Sequence, residues 1–451
     1  MFNNKDLNKI SKDLIKKLKS FEFEKYNNQK IVSVSTDIEN IQKISIHNID
    51  LSISPIFFKS NNISLYGFVK EHQFSFTSSV DYLSRKNKML KILSNTLFID
   101  KVLNSKTYIF GGENFDLEEI NYNFWENIPI AQFILPRYII TKEKFIVNLY
   151  LKGSNSLKNI LSLLEKYIND INSIFKNCTP IKNESTFVKV NNLETEDKYH
   201  DKLNQSIKTM KKNDNPITKV VFSRIKKVSY TNRVPTINIY RNLLSKNKES
   251  MNFLLSFNKH ISLIGSTPEL ILSKSSKIIQ SESIAGSNFD RHKNEFRSDS
   301  KEINEQRIVT DYILDFFENN ANNINYNDIP DIKKSSNIDH LCTSFNAQLK
   351  NNKNILDLLN EIHPTPAICG YPKQNALKII RNYKENRGWY GGPIGWIDNN
   401  LDGKFYLNIR SGVSIDKYLY LFSGSGITEK SISKNEWKET DHKFKLMLNS
   451  L

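Results

Sequence analysis

Along the chain, apolar positions fall into two rhythms. A helical period runs through "LKNILSLLEKYINDINSIF", "YHDKLNQSIKTMKK", "TINIYRNLLSKN" and "SKEINEQRIVTDYILDFFEN", each long enough for several turns. Alternation with period two marks "KFIVNLYLKG", "TKVVFSRIKKVSY" and "NFLLSFNKHISLIGSTPELILSKSSKIIQSESIAGS", the last of which reads as two hairpins. "GGPIGWIDNNLDGKFYLNIRSGVSIDKYLYLFSGSGI" predicts antiparallel sheet with "NNLDG" at a hairpin turn. "PKQNALKIIRNYKEN" predicts a helix with Pro372 in its first turn, where a missing N–H is harmless. Strands come in groups separated by helices, without a strand–helix–strand rhythm. That order predicts an α+β fold built on large antiparallel sheets. The polar, turn-rich stretch Asn177–His200 predicts a junction between a first part, 1–190, and a second, 191–451.

Composition narrows the class. With 451 residues, 39% of them hydrophobic, the chain has room for one large domain or two to three ordinary ones. No stretch approaches the ~18 uninterrupted apolar residues of a membrane span. The opening "MFNNKDLNKISKDLIKKLKSFEFEKYNN" predicts a charged amphipathic helix rather than an export signal. Cys178, Cys342 and Cys369 are too scattered for a metal-ligand set or a disulfide framework, which fits buried thiols in a reducing cytoplasm. A net charge of +16 raises a nucleic-acid reading, but lysine is spread among Asn and Ile along the whole length. No zinc-finger, RNP or basic-helix pattern gathers it, so neither nucleic-acid binding nor a basic non-catalytic binding role is expected. Neither a P-loop nor a G-x-G-x-x-G turn follows a strand, so nucleotide cofactors lack support.

Chemistry concentrates in the second part. "SISKNEWKETDHKF" sets Glu436, Glu439 and Lys443 three and four residues apart, on one face of a helix. Taken alone this is an ordinary solvated stripe. It stands, however, at the end of an ordered series: "KVVFSR" (219–224), "GSTPELIL" (265–272) with "SIAGS" (283–287), "KEINEQRIVTDYI" (301–313), and the run from "HPTPAICGYPKQNALKIIR" through "RGWYGGPIGWID", "NIRSG" and "SGSGI" to "EWKET" (363–440). In these motifs the chain resembles the chorismate-utilising enzymes, most closely the isochorismate synthases. The resemblance is strong from about 215 to 445 and faint before it.

The resemblance implies a fold, a reaction and a site. The fold is an α/β sandwich of the anthranilate synthase component I type, with the 1–190 half adding strands to common sheets. The reaction adds water at C2 of chorismate and expels the C4 hydroxyl. It needs a base, for which the family places Lys219, and an acid, for which it places Glu269. A lysine near its ordinary ~10.4 is a poor base, so the pocket is expected to favour its neutral form, and apolar surroundings are expected to hold a proton on Glu269. Mg2+ takes oxygen ligands, and the matching positions are Glu305 and Glu439, with Glu302 and Glu436 each three residues earlier on the same helical face. The two substrate carboxylates are assigned to Arg410, Lys443 and the backbone N–H groups of Gly424, Ser425 and Gly426. Gly286 and Ser287 match a pocket-lining stretch, and His363 a residue against the ring. "KEINE" lacks the arginine more usual at Ile303, and His442 stands where the family often has an apolar or small residue.

Siblings within the resemblance separate on single positions. Aminodeoxychorismate synthases carry a lysine where Ala285 stands, and anthranilate synthases lack a counterpart of Lys219. Salicylate synthases share Lys219, Glu269 and the acids, but usually lack the H-P-T-P-A and R-G-W-Y-x-G-P-x-G-W runs; they are the alternative. Isochorismate serves both menaquinone and catechol-siderophore synthesis, and the long first half leans towards menaquinone. A cytoplasmic enzyme without an obligate protein partner is expected.

Overall fold

The computed structural model describes residues 4–23, 29–38, 49–78, 81–99, 106–152, 156–176, 185–212, 214–288, 296, 299–334 and 338–451. Cys178 and the first residues of the Asn177–His200 stretch lie outside them. The strands of the described residues form one hydrogen-bonded network, almost entirely antiparallel. The exception is the parallel contact of Ile31–Asp37 with Thr96–Phe98.

Alternation along each strand divides the side chains between two cores, one on each face. Phe58, Phe253, Leu255, Leu263, Val220 and Phe222 enter one core. Their neighbours Phe57, Leu254 and Ile264 enter the other. A register slip of one residue would exchange these sets, so burial on both faces holds the pairing. The second core is closed by the amphipathic helices Asn4–Lys19, Leu157–Lys176 and Thr236–Lys246. The first is closed by Glu196–Met210, Ser300–Asn320, Ile355–Ile362 and Lys373–Asn382.

Strands from the first half pair directly with strands of the second. Ile56–Lys59 lies beside Met251–Ser256, and Tyr108–Glu113 beside Pro393–Asp398. The stretch read as a junction contains a strand instead: Phe187–Asn192 pairs with the far end of Lys219–Tyr230. Its side chains are mostly exposed, so burial leaves little apolar signal in the sequence. The helix Ile355–Ile362 was also not predicted, although Ile355, Leu358, Leu359 and Ile362 carry a helical period and Asn354 and Asp357 form a capping box at its start.

Two helices carry the acidic residues of the motifs. Ser300–Asn320 begins where Asp299 accepts from Lys301 N at 2.9 Å and Glu302 N at 3.4 Å, a cap worth about 1 kcal/mol that fixes the first turn. The closing helix Ser433–Leu448 is tied to the strand Lys219–Tyr230 through Arg224, whose buried guanidinium covers the Trp437 ring and donates to Trp437 O at 3.1 Å. Ser423 Oγ on the neighbouring strand donates to Thr440 O at 3.0 Å. The closing helix is thereby held against that strand pair, whereas Ser300–Asn320 packs on Ile278–Asn288 and reaches the pair through Glu305, whose Oε1 lies 2.9 Å from Lys219 Nζ.

Candidate active site

A cleft opens where the strands Lys219–Tyr230, Ile278–Asn288 and Tyr418–Ile427 meet the two acidic helices. Glu269, Gly286, Ser287, Glu305, His340, Tyr390, Arg410, Gly424, Gly426 and Lys443 line it, with Val221, Pro268, Ala367 and Ile368 among the apolar contributors. About 70 Å3 is open between them, well below the roughly 300–1,000 Å3 of a typical small-molecule pocket.

Lys219 is the first residue of its strand and is fully buried. Its Nζ lies 2.9 Å from Glu305 Oε1, on the cleft wall. Burial pushes the Glu305 carboxyl up, but Lys219 and Lys443 outweigh it and hold the group below its ordinary value. Gly426 makes room for this pair, since a Cβ there would stand 2.5 Å from Glu305 Oε1 and 2.6 Å from Lys219 Cε. Gly426→Ala is accordingly expected to displace the pair and lower turnover at least tenfold while the chain stays folded; near-normal kcat with unchanged Tm would contradict it.

Glu269 follows Pro268 on a turn between two buried strands and is 4% exposed. Burial, reinforced by the nearby Glu282, pushes its carboxyl up to about 8, against the opposing field of Lys219. A carboxyl in this environment keeps its proton at neutral pH.

His340 went unnoticed in the sequence because a lone histidine in an alternating strand carries no signal of its own. Its ring bridges two expected site residues. Gly286 O accepts from Nδ1 at 2.8 Å, so Nδ1 carries the proton and Nε2 is left to accept from Arg410 Nη2 at 3.0 Å. Burial and the adjacent guanidinium hold the imidazole far below its ordinary value, hence neutral. Arg410 is itself buried, and burial lowers it to about 10. With φ at 51° its backbone is left-handed, and its Nη1 has no hydrogen-bond partner. A buried donor without a partner, on a cleft wall, is an anion-binding group.

The four glutamates face one another across the two helices, with lysines between them. Lys301 Nζ lies 3.0 Å from Glu436 Oε1 and 3.8 Å from Glu302 Oε1. Lys443 Nζ lies 2.6 Å from Glu439 Oε1 and donates to Gly424 O at 3.0 Å. Ser287 N donates to Glu302 Oε2 at 2.7 Å. Burial, then repulsion from Glu305, raises Glu302 to about 7; burial, then Glu439, raises Glu436 to about 7. Glu436 Oε2 has no hydrogen-bond partner. Among the described residues, no three acidic, histidine or cysteine side chains converge on a common point at ligating distance.

Three expectations need correction. The His363 ring packs edge-on against Phe115, with Nε2 3.3 Å from Phe115 O, and does not line the cleft; Ala367 and Ile368 of the same motif do. Ser425 points to the opposite face, where its Oγ meets Tyr199 OH at 2.9 Å, as alternation along a strand requires. Gly424, Ser425 and Gly426 sit in a paired strand, where successive N–H groups point to opposite edges, so the three cannot all converge on one anion. Tyr390 also lines the cleft.

Comparison with known proteins identifies the family. A family profile described as chorismate binding enzyme matches residues 14–451. The chain belongs to that family. The match reaches well into the first half, beyond the stretch from 215 onward where the motifs lie. Among curated relatives, the chain is 27% identical to isochorismate synthase MenF of Bacillus subtilis over 360 residues, covering 76% of this chain and 74% of that protein. It is 28% identical to the vibriobactin-specific isochorismate synthase of Vibrio cholerae over 242 residues, 51% of this chain and 61% of that one. Among solved structures, the menaquinone-specific isochorismate synthase MenF of Escherichia coli superposes with a TM-score of 0.80 over 99% of both chains at 18% identity. Anthranilate synthase component I of Streptococcus pneumoniae gives 0.69 over 91% of this chain and 95% of that one, also at 18%. These two likenesses show the shared chorismate-binding fold.

Proposed function

We propose that the chain is an isochorismate synthase serving menaquinone synthesis, with chorismate as substrate. The observation that carries this reading is the buried Glu269 carboxyl on the cleft wall, with the buried Lys219 amine 2.9 Å behind Glu305 of the same wall. Lys219 removes a proton from water as its oxygen bonds to C2; the ring double bonds shift, the C4–O bond breaks, and Glu269 gives its proton to the departing hydroxyl. One proton is taken and one given, so the reaction balances without an oxidant or co-reactant. Arg410, held by His340, and Lys443 supply donors for the substrate carboxylates. An active acid must be protonated, so the rate is expected to fall as pH rises through about 8, the value to which burial lifts Glu269. A rate still climbing beyond pH 9 would remove Glu269 from this role.

The donor set also supports magnesium. Glu302, Glu305, Glu436 and Glu439 offer oxygen ligands of the kind Mg2+ prefers, their mutual repulsion marks a surplus of negative charge, and Glu436 Oε2 is an unsatisfied buried ligand atom. When bound, the ion would neutralise a substrate carboxylate and polarise the ring towards attack. EDTA is expected to abolish turnover and Mg2+ to restore it; Mg2+ is also expected to raise Tm with its concentration. Full turnover in EDTA, or an unmoved Tm, would contradict the assignment. Cys342 and Cys369, buried free thiols, support a reducing, cytoplasmic location; among the described residues no helix is long and apolar enough to cross a membrane.

The test is chromatography of the products formed from chorismate and Mg2+. Isochorismate alone is the expected result. Salicylate with pyruvate would move the chain to the salicylate synthases.

A further inference from the structure

The strand that opens on Lys219 is supported unevenly. One edge pairs continuously, Val220–Ser229, with Tyr418–Ile427. On the other edge the two-residue strand Gly370–Tyr371 reaches only Lys219 and Val220, and Val221 N adds one bond to Cys369 O at 2.9 Å. The strand Phe187–Asn192 takes over only from Lys226, preceded by Leu193 N donating to Ile225 O at 3.0 Å. Between these supports lie the carbonyl of Val221 and the N–H of Ser223, buried groups that need partners.

Two side chains supply them. Arg387 Nη2 donates to Val221 O, and Glu385 accepts from Ser223 N at 3.0 Å and from Ser223 Oγ at 2.9 Å. The two form an ion pair at 2.8 Å, with side chains 1% and 6% exposed. Arg387 also donates from Nη1 to Ile368 O at 2.8 Å, and Lys202 balances Glu385 at 2.8 Å. Val221 and Ile368 both line the cleft, on separate pieces of backbone.

We infer that Arg387 and Glu385 are positioning residues: their ion pair replaces a missing length of partner strand and sets the spacing between the Lys219 strand and the Ile368 wall. A buried ion pair contributes little net stability compared with well-packed apolar side chains, so stability alone does not account for it. What the rigid, forked guanidinium provides is direction, because it can bond two carbonyls at once at a fixed separation. An apolar pair would fill the volume and leave both carbonyls unbonded.

The identity of the reaction being positioned rests on the proposed function; the staple itself does not. Arg387→Met and Glu385→Gln are compared with Ile239→Ala, a destabilising control buried in the opposite core. Hydrogen exchange, read without substrate, should speed up over residues 219–225 in both variants and stay at the wild-type rate over 226–230. With chorismate, kcat should fall on the order of 10–100-fold with KM within about threefold, whereas Ile239→Ala should keep the wild-type kcat per folded molecule. Should Arg387→Met fail to fold, Glu385→Gln decides alone, since it keeps an acceptor for Ser223 and loses only the charge. Unchanged exchange at 219–225, or faster exchange with wild-type kcat, would overturn the inference. A wild-type chain that does not convert chorismate would sink the proposed function, while the exchange result would still decide the staple.

Discussion

Lys219→Ala is expected to lower chorismate turnover by about 10²–10⁴-fold, the range of a lost general base. The residue is fully buried and its Nζ lies 2.9 Å from Glu305 Oε1, so alanine also leaves that carboxylate with one lysine fewer. Removing one partner of a buried pair destabilises by roughly 3–5 kcal/mol in other systems; Lys443, which also acts on Glu305, offsets part of that. A second variant separates the two effects. Lys219→Gln keeps an N–H donor for Glu305 but cannot accept the proton of water. Both variants should lose turnover alike, while thermal unfolding should show glutamine well above alanine. A glutamine variant with near-normal kcat would show that Lys219 holds Glu305 rather than acting as the base.

Glu269→Gln should lower kcat by a similar factor, because glutamine matches the shape of the protonated acid but has no proton of comparable acidity to give. Its effect on stability has a sign that can be worked out. The folded carboxyl titrates near 8, above its ordinary 4.5. Between those values the unfolded chain has lost the proton and the folded chain has kept it, so wild-type stability declines as pH rises from about 4.5 to about 8 and levels off above. Glutamine does not titrate. Relative to wild type, the variant should therefore gain stability across that window and stop gaining beyond it. A constant difference from pH 5 to 9 would mean that Glu269 ionises normally.

Much of the site could be read from residue spacing. Glu436, Glu439 and Lys443 share a face because a helix brings every third and fourth residue together, and the structure turns that face towards Ser300–Asn320. Lys219 and Glu269 were legible only in combination, since neither "TKV" nor "PEL" carries chemistry by itself. What escaped notice depends on contacts between distant segments. His340 matters because a bulged strand brings Gly286 O to one ring nitrogen and Arg410 to the other. The misplacement of Ser425 had a visible remedy: strand alternation allows Gly424 and Gly426 one face and sends Ser425 to the other. His363 illustrates the opposite limit, because a motif can line a pocket through Ala367 and Ile368 while its most chemical residue packs behind them. In the first half, Lys144–Tyr150 was visible by its period, whereas Ile56–Lys59 and Tyr108–Glu113 were not, and their partners lie about 200 and about 285 residues away.

The most direct measurement uses chorismate, Mg2+ and water enriched in oxygen-18. A base-delivered water and an acid-assisted departure place one labelled oxygen at C2 of isochorismate, with the C4 hydroxyl lost to solvent; the wild-type chain should give that product, and both Lys219→Gln and Glu269→Gln should form it far more slowly. Isochorismate carrying unlabelled oxygen at C2 would mean that the hydroxyl migrates without leaving the ring, and would contradict the paired roles of Lys219 and Glu269.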